Sequence, residues 1–215
     1  MNPPLAADRL VAHRARPRRE PFVLLAAGLV VLGWSAFHPH DYFTWFMEVA
    51  PIFIGVPILL ATGRRFPLTP LLYRLILAHA VILMVGGHYT YAEVPLGFWM
   101  QRAFGFARNH YDRIGHFAQG FVPAILAREI LWRRGVVSGR GWLFFLVTCV
   151  CLAFSAFYEL IEWWTAEATG SAATAFLGTQ GDPWDTQWDM CFALVGALAA
   201  QLALGRGHDR QMNLI

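Results

Sequence analysis

Three pairs of ionisable residues fall at helical spacing: Asp112 with His116, Glu159 with Glu162, and Asp185 with Asp189. Offsets of four, three and four residues put both members of each pair on one face of a helix. Carboxylates joined by an imidazole are a donor set for a divalent cation, or a general acid and base. Several carboxylates crowded away from water need a cation, a proton or an arginine to offset their repulsion. Asp112, His116, Glu159, Glu162, Asp185 and Asp189 are therefore the candidate metal ligands, and Glu159, Glu162 and Asp189 the candidate catalytic groups. The cofactor such a set would take is one divalent metal ion, its identity open. Arg108 and Arg113 are close in sequence and compete as partners for the same acids. His88, Arg113 and Asp182 complete the list of candidates.

Plainer readings exist for several of these residues. Asp182-Pro183-Trp184-Asp185 has the form of a helix start, with Asp182 as N-cap and proline at the first helical position. That does not account for Asp189, a turn deeper. His88 and His110 fit loop or interface positions, and His79 an interhelical hydrogen bond. Trp163, Trp164, Trp184 and Trp188 fit an aromatic belt, and Arg128 with Glu129 a snorkelling or paired set at the cytoplasmic end. There is no GxSxG elbow, HExxH box, phosphate-binding loop or dinucleotide fingerprint. Ser155 and Ser171 have no base partner in sequence. The histidines lack the repeated boxes of membrane di-iron desaturases.

The elements that must position these groups follow from composition. The chain has 215 residues, of which 57% are hydrophobic and only 14% charged, against about 25% charged in soluble domains. Its mean hydropathy is +0.44. So few charges cannot cover a soluble surface, and seventeen Phe with nine Trp exclude disorder and low complexity. Six apolar segments stand out: Phe22–Phe37, Phe43–Ala61, Leu71–Gly87, Ile114–Trp132, Trp142–Trp164 and Gln187–Leu204. Each is close to the ~20 residues that a helix needs to cross the hydrocarbon layer. Ser35-Ala36-Phe37 is a poor cleavage site, so the first segment reads as a retained helix. The expected organisation is an Arg-rich tail over 1–21, one six-helix membrane domain over 22–204, and a short tail over 205–215.

All seventeen basic residues are arginine. With the N-terminus inside, fourteen lie in inner segments or near inner helix ends, and only Arg102, Arg108 and Arg113 lie outside. Both termini are therefore expected in the cytoplasm. The basic balance reflects topology, so no nucleic-acid partner is expected; the lipid bilayer is the partner. Ten of the fourteen acids fall in the outer half, including Glu48. No comparable charge set stands out on the cytoplasmic half. The connections over 88–113 and 165–186 are long, and their aromatic content favours order. Cys149, Cys151 and Cys191 have no CxxC spacing and read as small core residues.

Arg108-Asn109-His110-Tyr111-Asp112-Arg113-Ile114-Gly115-His116-Phe117, followed by Gln119-Gly120-Phe121, resembles the YjdF family of bacterial inner-membrane proteins. The resemblance continues in His88–Tyr91, in Ala153–Trp164, in Phe176–Asp182 and in Trp184–Met190. It implies a multi-pass protein of the bacterial inner membrane and brings no activity with it. A looser similarity to VanZ-like membrane proteins rests on Asp112, His116, Phe117, Glu159 and Asp185 or Asp189.

The expected fold is all-α, a polytopic membrane bundle of about six transmembrane helices. The leading functional expectation is metal-dependent chemistry at the outer face on an amphiphilic or lipid-linked small molecule that arrives laterally beneath the outer loops. The alternatives are a cation- or proton-coupled transporter using the same acids, and a structural or accessory subunit. The lack of a visible inverted repeat weighs against transport.

Overall fold

The computed structural model describes residues 19–170, 174–177 and 179–213. Most of the expected N-terminal tail and Ser171 lie outside the described residues. Among the described residues the secondary structure is entirely helical, in the order α1 (Glu20–Ser35), α2 (Tyr42–Thr62), α3 (Pro70–Tyr89), a 3-10 turn (Tyr91–Glu93), α4 (Pro95–Phe104), α5 (Tyr111–Arg133), α6 (Arg140–Thr169), α7 (Thr174–Leu177) and α8 (Asp185–Met212). The six long helices coincide with the six expected spans. Four of them, α2, α3, α6 and α8, are long and apolar enough to cross a membrane, and α1 is a shorter apolar helix. The chain is a polytopic membrane helix bundle.

Local chemistry sets the helix starts. Asp41 Oδ2 accepts from the Thr44 amide at 2.6 Å to open α2. Thr69 caps α3, with Pro70 at its first position. Asn109 Oδ1 accepts from the Tyr111 amide at 3.0 Å, so α5 is opened by a side chain two residues before its first. Gly105, at φ +69°, ends α4 in the left-handed region that glycine adopts at little cost.

In the bundle α3 packs on α1, α2 and α5, while α5 packs on α6 and, most extensively, on α8. The α5–α8 contact depends on two glycines. A Cβ on Gly120 would collide with the Ala193 backbone, and one on Gly196 with the Phe117 carbonyl. Small residues of this kind let helix backbones close up in a membrane, where burial offers little driving force. Gly120 lies one turn past His116, and Ala193 one turn past Asp189. The close contact therefore fixes the two helices immediately below the residues singled out by the sequence.

Several expectations need correction. α6 runs on to Thr169, and α8 continues through the expected tail to Met212, with His208 and Met212 buried. The helix α4 was not foreseen; its ten residues carry outward-facing Leu96, Phe98, Trp99 and Phe104. Asp182 does not cap α8, which begins at Asp185 with Trp184 as its N-cap. Its Oδ1 instead closes a local turn to the Trp184 amide (2.9 Å), because its Oδ2 is drawn to Arg108 and Arg113. Only Cys151 is a core cysteine; Cys149 and Cys191 face outward, where lipid suits a small apolar thiol as well as a core does.

The half expected to face the cytoplasm also carries a charge set after all. Glu129, fully buried, accepts from the Thr69 amide (3.1 Å), from Thr69 Oγ1 (2.8 Å) and from Arg133 (2.6 Å), and pairs with His208 Nε2 at 3.0 Å. Arg128 pairs with Asp209 at 2.5 Å. These groups come from helices distant in sequence, so no single segment reveals them.

Candidate functional site

The ends of α2, α5, α6 and α8 that are expected to be outermost converge on one polar centre. From α5, His116 Nε2 lies 3.3 Å from Asp112 Oδ1 and 3.6 Å from Asp189 Oδ1 of α8. Its Nδ1 is 2.9 Å from Gln119 Oε1 and 3.8 Å from Glu159 Oε1 of α6. Its two ring nitrogens thus face different partners, Nδ1 toward Gln119 and Glu159 and Nε2 toward the two aspartates. Asp112, His116 and Asp189 each offer one ligand atom, all within 4.8 Å of one another.

A second group sits against α8. Arg113 pairs with Asp189 Oδ1, and reaches Asp185 Oδ1 at 2.7 Å and Asp182 Oδ2 at 3.4 Å. Arg108 reaches Asp185 Oδ1 at 2.6 Å and Asp182 Oδ2 at 3.2 Å, and donates to the Thr179 carbonyl. The competition foreseen between arginines and metal is thus divided by position. Asp182 and Asp185 belong to the arginines, Asp112 faces His116, and Asp189 Oδ1 touches both groups.

The third side is formed by α2 and α6. Glu159 and Glu162 are buried on the face of α6 that meets His116. Glu48 of α2 is buried beside Tyr91, Tyr158, Asp112 and His116. Tyr91 fits there because Gly86 and Gly115 leave its ring space that any side chain would fill. Phe176 of α7 packs near Tyr158, with ring centroids 6.5 Å apart, and is itself buried. Among the described residues Glu159 Oε1 is buried here without a hydrogen-bond partner, as are Thr44 Oγ1 one turn before Glu48 and Ser155 Oγ one turn before Glu159. Such unpartnered atoms are uncommon in folded proteins, and they also occur away from the centre, at His79, Arg128, Gln201 and His208.

Seven carboxylates (Glu48, Asp112, Glu159, Glu162, Asp182, Asp185 and Asp189) therefore face two guanidiniums and one imidazole. That excess of acid in a low-dielectric setting requires protons or a bound cation. At the edge, just before α5, burial and then the Arg108 and Arg113 guanidiniums push the His110 imidazole down from its ordinary value, against the opposing pull of Asp112 and Asp182.

Of the sequence candidates, Asp112, Arg113, His116, Glu159, Glu162, Asp182, Asp185 and Asp189 come together. His88 does not: its Nδ1 lies 3.1 Å from the Ser35 carbonyl and its ring 4.6 Å from Trp34, against α1. The buried Nε2 of His79 has no hydrogen-bond partner among the described residues, so the expected interhelical bond is not seen there. Trp163, Trp164, Trp184 and Trp188 are all exposed on the apolar exterior, as a belt requires. Sequence reasoning missed Gln119, Asn109, Gln180 and the site role of Glu48. Gln180 and Asn109 tie the two outer loops by reciprocal bonds of 2.8 and 3.2 Å, and both stand in the sequence blocks that carried the family resemblance.

Residues 21–210 match the family described as "Predicted membrane protein (DUF2238)". The inner membrane protein YjdF of Escherichia coli (strain K12) is 57% identical over 196 residues, which cover 90% of this chain and 94% of that one. No solved structure matches the chain.

Proposed function

The chain belongs to the DUF2238 family of membrane proteins and is a multi-pass inner-membrane protein, and we propose that it binds a divalent metal at its outer face and uses it on an amphiphilic substrate. The observation that carries this reading is the trio Asp112, His116 and Asp189, with ligand atoms within 4.8 Å of one another beside an unpartnered Glu159 oxygen. One imidazole and two carboxylates suit Mn²⁺ or Zn²⁺ and leave coordination positions for water and substrate. A bound ion also offsets part of the acid excess.

Asp112, His116 and Asp189 would hold the ion, which would lower the pKa of a water molecule; Glu159, facing His116, would serve as general base, and Glu162, a turn further on the same buried face, would carry the proton outward. Arg113 orients Asp189, and Arg108 holds Asp185 and Asp182 so that they do not crowd the metal. Elemental analysis of the detergent-purified protein tests this. Wild type should carry a stoichiometric metal, lost in Asp112→Asn and Asp189→Asn while the helical spectrum is kept. Folded wild type that stays metal-free after dialysis against Mn²⁺ and Zn²⁺ would end the proposal.

The buried Glu129–His208 pair at the other end of α5 and α8 favours a second reading, cation- or proton-coupled transport between two acid and imidazole centres. Ion-driven uptake into liposomes, abolished by Glu129→Gln as well as by Glu159→Gln, would support it over the enzyme.

A further inference from the structure

We propose that three arginines at the end of the bundle opposite the acidic centre bind the phosphate of an anionic phospholipid in the adjoining leaflet. The site is independent of the metal reading. Arg64 and Arg65 stand in the turn between α2 and α3, and Arg134 closes α5. The turn is held in place. The Arg65 and Phe66 amides donate to the Thr62 carbonyl at 2.9 and 2.8 Å, and Thr69 donates to Glu129 of α5. Arg133 donates to the Pro67 carbonyl at 2.7 Å, and its guanidinium carbon lies 3.9 Å from the centre of the Phe66 ring. The Arg134 guanidinium lies over the same ring at 5.0 Å. One aromatic side chain thus gathers the end of α5 next to the turn that carries Arg64 and Arg65.

Orientation in the membrane accounts for positive charge at one end of a bundle, but not for its convergence on one ring or for its want of acids. Nearby, Arg74 pairs with Glu20, Arg128 with Asp209, and Arg133 with Glu129. Arg64, Arg65 and Arg134 are exposed and pair with no carboxylate among the described residues. Guanidiniums held together without an acid attract an anion, and phosphate oxygens suit their paired N–H donors. The apolar surface decides which phosphate. Leu60 lies four residues before Arg64 and Ile130 four before Arg134, each about one helical turn further into the bilayer, and both are exposed. A phospholipid whose head meets the arginines lays its chains along Leu60 and Ile130, whereas a free phosphate would use neither. Basic surfaces at helix ends are where anionic headgroups gather in membranes.

Native mass spectrometry of the full chain in detergent, with dioleoyl phosphatidylglycerol as probe, counts the bound lipid. Wild type should hold it about tenfold more tightly than dioleoyl phosphatidylcholine, which has the same chains and no net charge. Arg64→Gln with Arg134→Gln should abolish that preference. Arg206→Gln with Arg210→Gln removes the same charge from exposed positions on α8 and should leave the preference intact. Phe66→Leu keeps every charge but loses the ring that gathers the arginines, and should weaken binding about threefold. All variants should keep the wild-type helical spectrum. Equal loss in the two double variants would show that net charge alone draws the lipid, and overturns the site. A preference that survives Arg64→Gln with Arg134→Gln overturns it as well. Glycerol 3-phosphate bound as tightly as the lipid would put a free phosphate at the arginines and end the lipid assignment.

Discussion

Arg113 has the largest electrostatic burden of any residue at the centre. It is buried and faces Asp112, Asp182, Asp185 and Asp189. Removing one partner of such a buried set leaves uncompensated charge, at a cost of about 3–5 kcal/mol. Arg113→Gln should lower the thermal midpoint in detergent markedly, and adding Asp185→Asn should recover part of the loss. An unchanged midpoint in the single variant would show that the arginine is dispensable to the fold. Glu159→Gln is expected to behave differently. It replaces an oxygen that lacks a partner, so the midpoint should hold while any metal-dependent turnover falls. At this scale the sequence was informative where spacing stayed within one helix, as in Asp112 with His116. It was silent on Glu48, because what makes Glu48 part of the centre is the packing of α2 against α3 and the seat of Tyr91, both set by distant residues.

Among the elements, α5 and α8 form the axis on which the site depends. Their approach at Gly120 and Gly196 leaves no room for a methyl group without moving a backbone. Gly120→Ala should therefore cost about 1–3 kcal/mol by overpacking, and should separate the Asp112 and His116 side from Asp189. Metal content would fall even though no ligand has changed. If Gly120→Ala retains full metal and full stability, the helix contact is not what holds the trio together. The spans themselves were legible because water tolerates few apolar runs of membrane length, whereas a bilayer requires them. The extension of α8 to Met212 was not, since Arg206, His208, Asp209 and Arg210 read as a polar tail until Glu129 and Arg128 are seen to meet two of them. Nor was α4, ten residues rich in aromatic groups and resting on little of the bundle.

For the molecule as a whole, the two polar centres lie at opposite ends of the same helices. Arginine placement assigns the Glu129–His208 end to the cytoplasm and the His116 end to the far side. A phosphatase reporter inserted after Gly181 should be active and a β-galactosidase reporter inactive, with the reverse pattern for fusions after Gly135. The opposite result would move the acidic centre to the cytoplasmic side and turn the substrate argument inside out.

α5 lies at the centre of the bundle yet is absent from the helices apolar enough to cross a membrane by themselves. It contains Asp112, Arg113 and His116 in its first two turns and Arg128, Glu129 and Arg133 in its last two, leaving an uncharged stretch between them that is too short to span the hydrocarbon layer unaided. Most of the partners that neutralise these charges lie in α6 and α8 or in the loop just before α8, which leave the ribosome later. Biogenesis must therefore keep α5 waiting at the translocon, or in a half-inserted state, until α8 arrives to complete its ion pairs. A nascent chain stopped after α5 should remain extractable from the bilayer by alkali, and one that includes α8 should not.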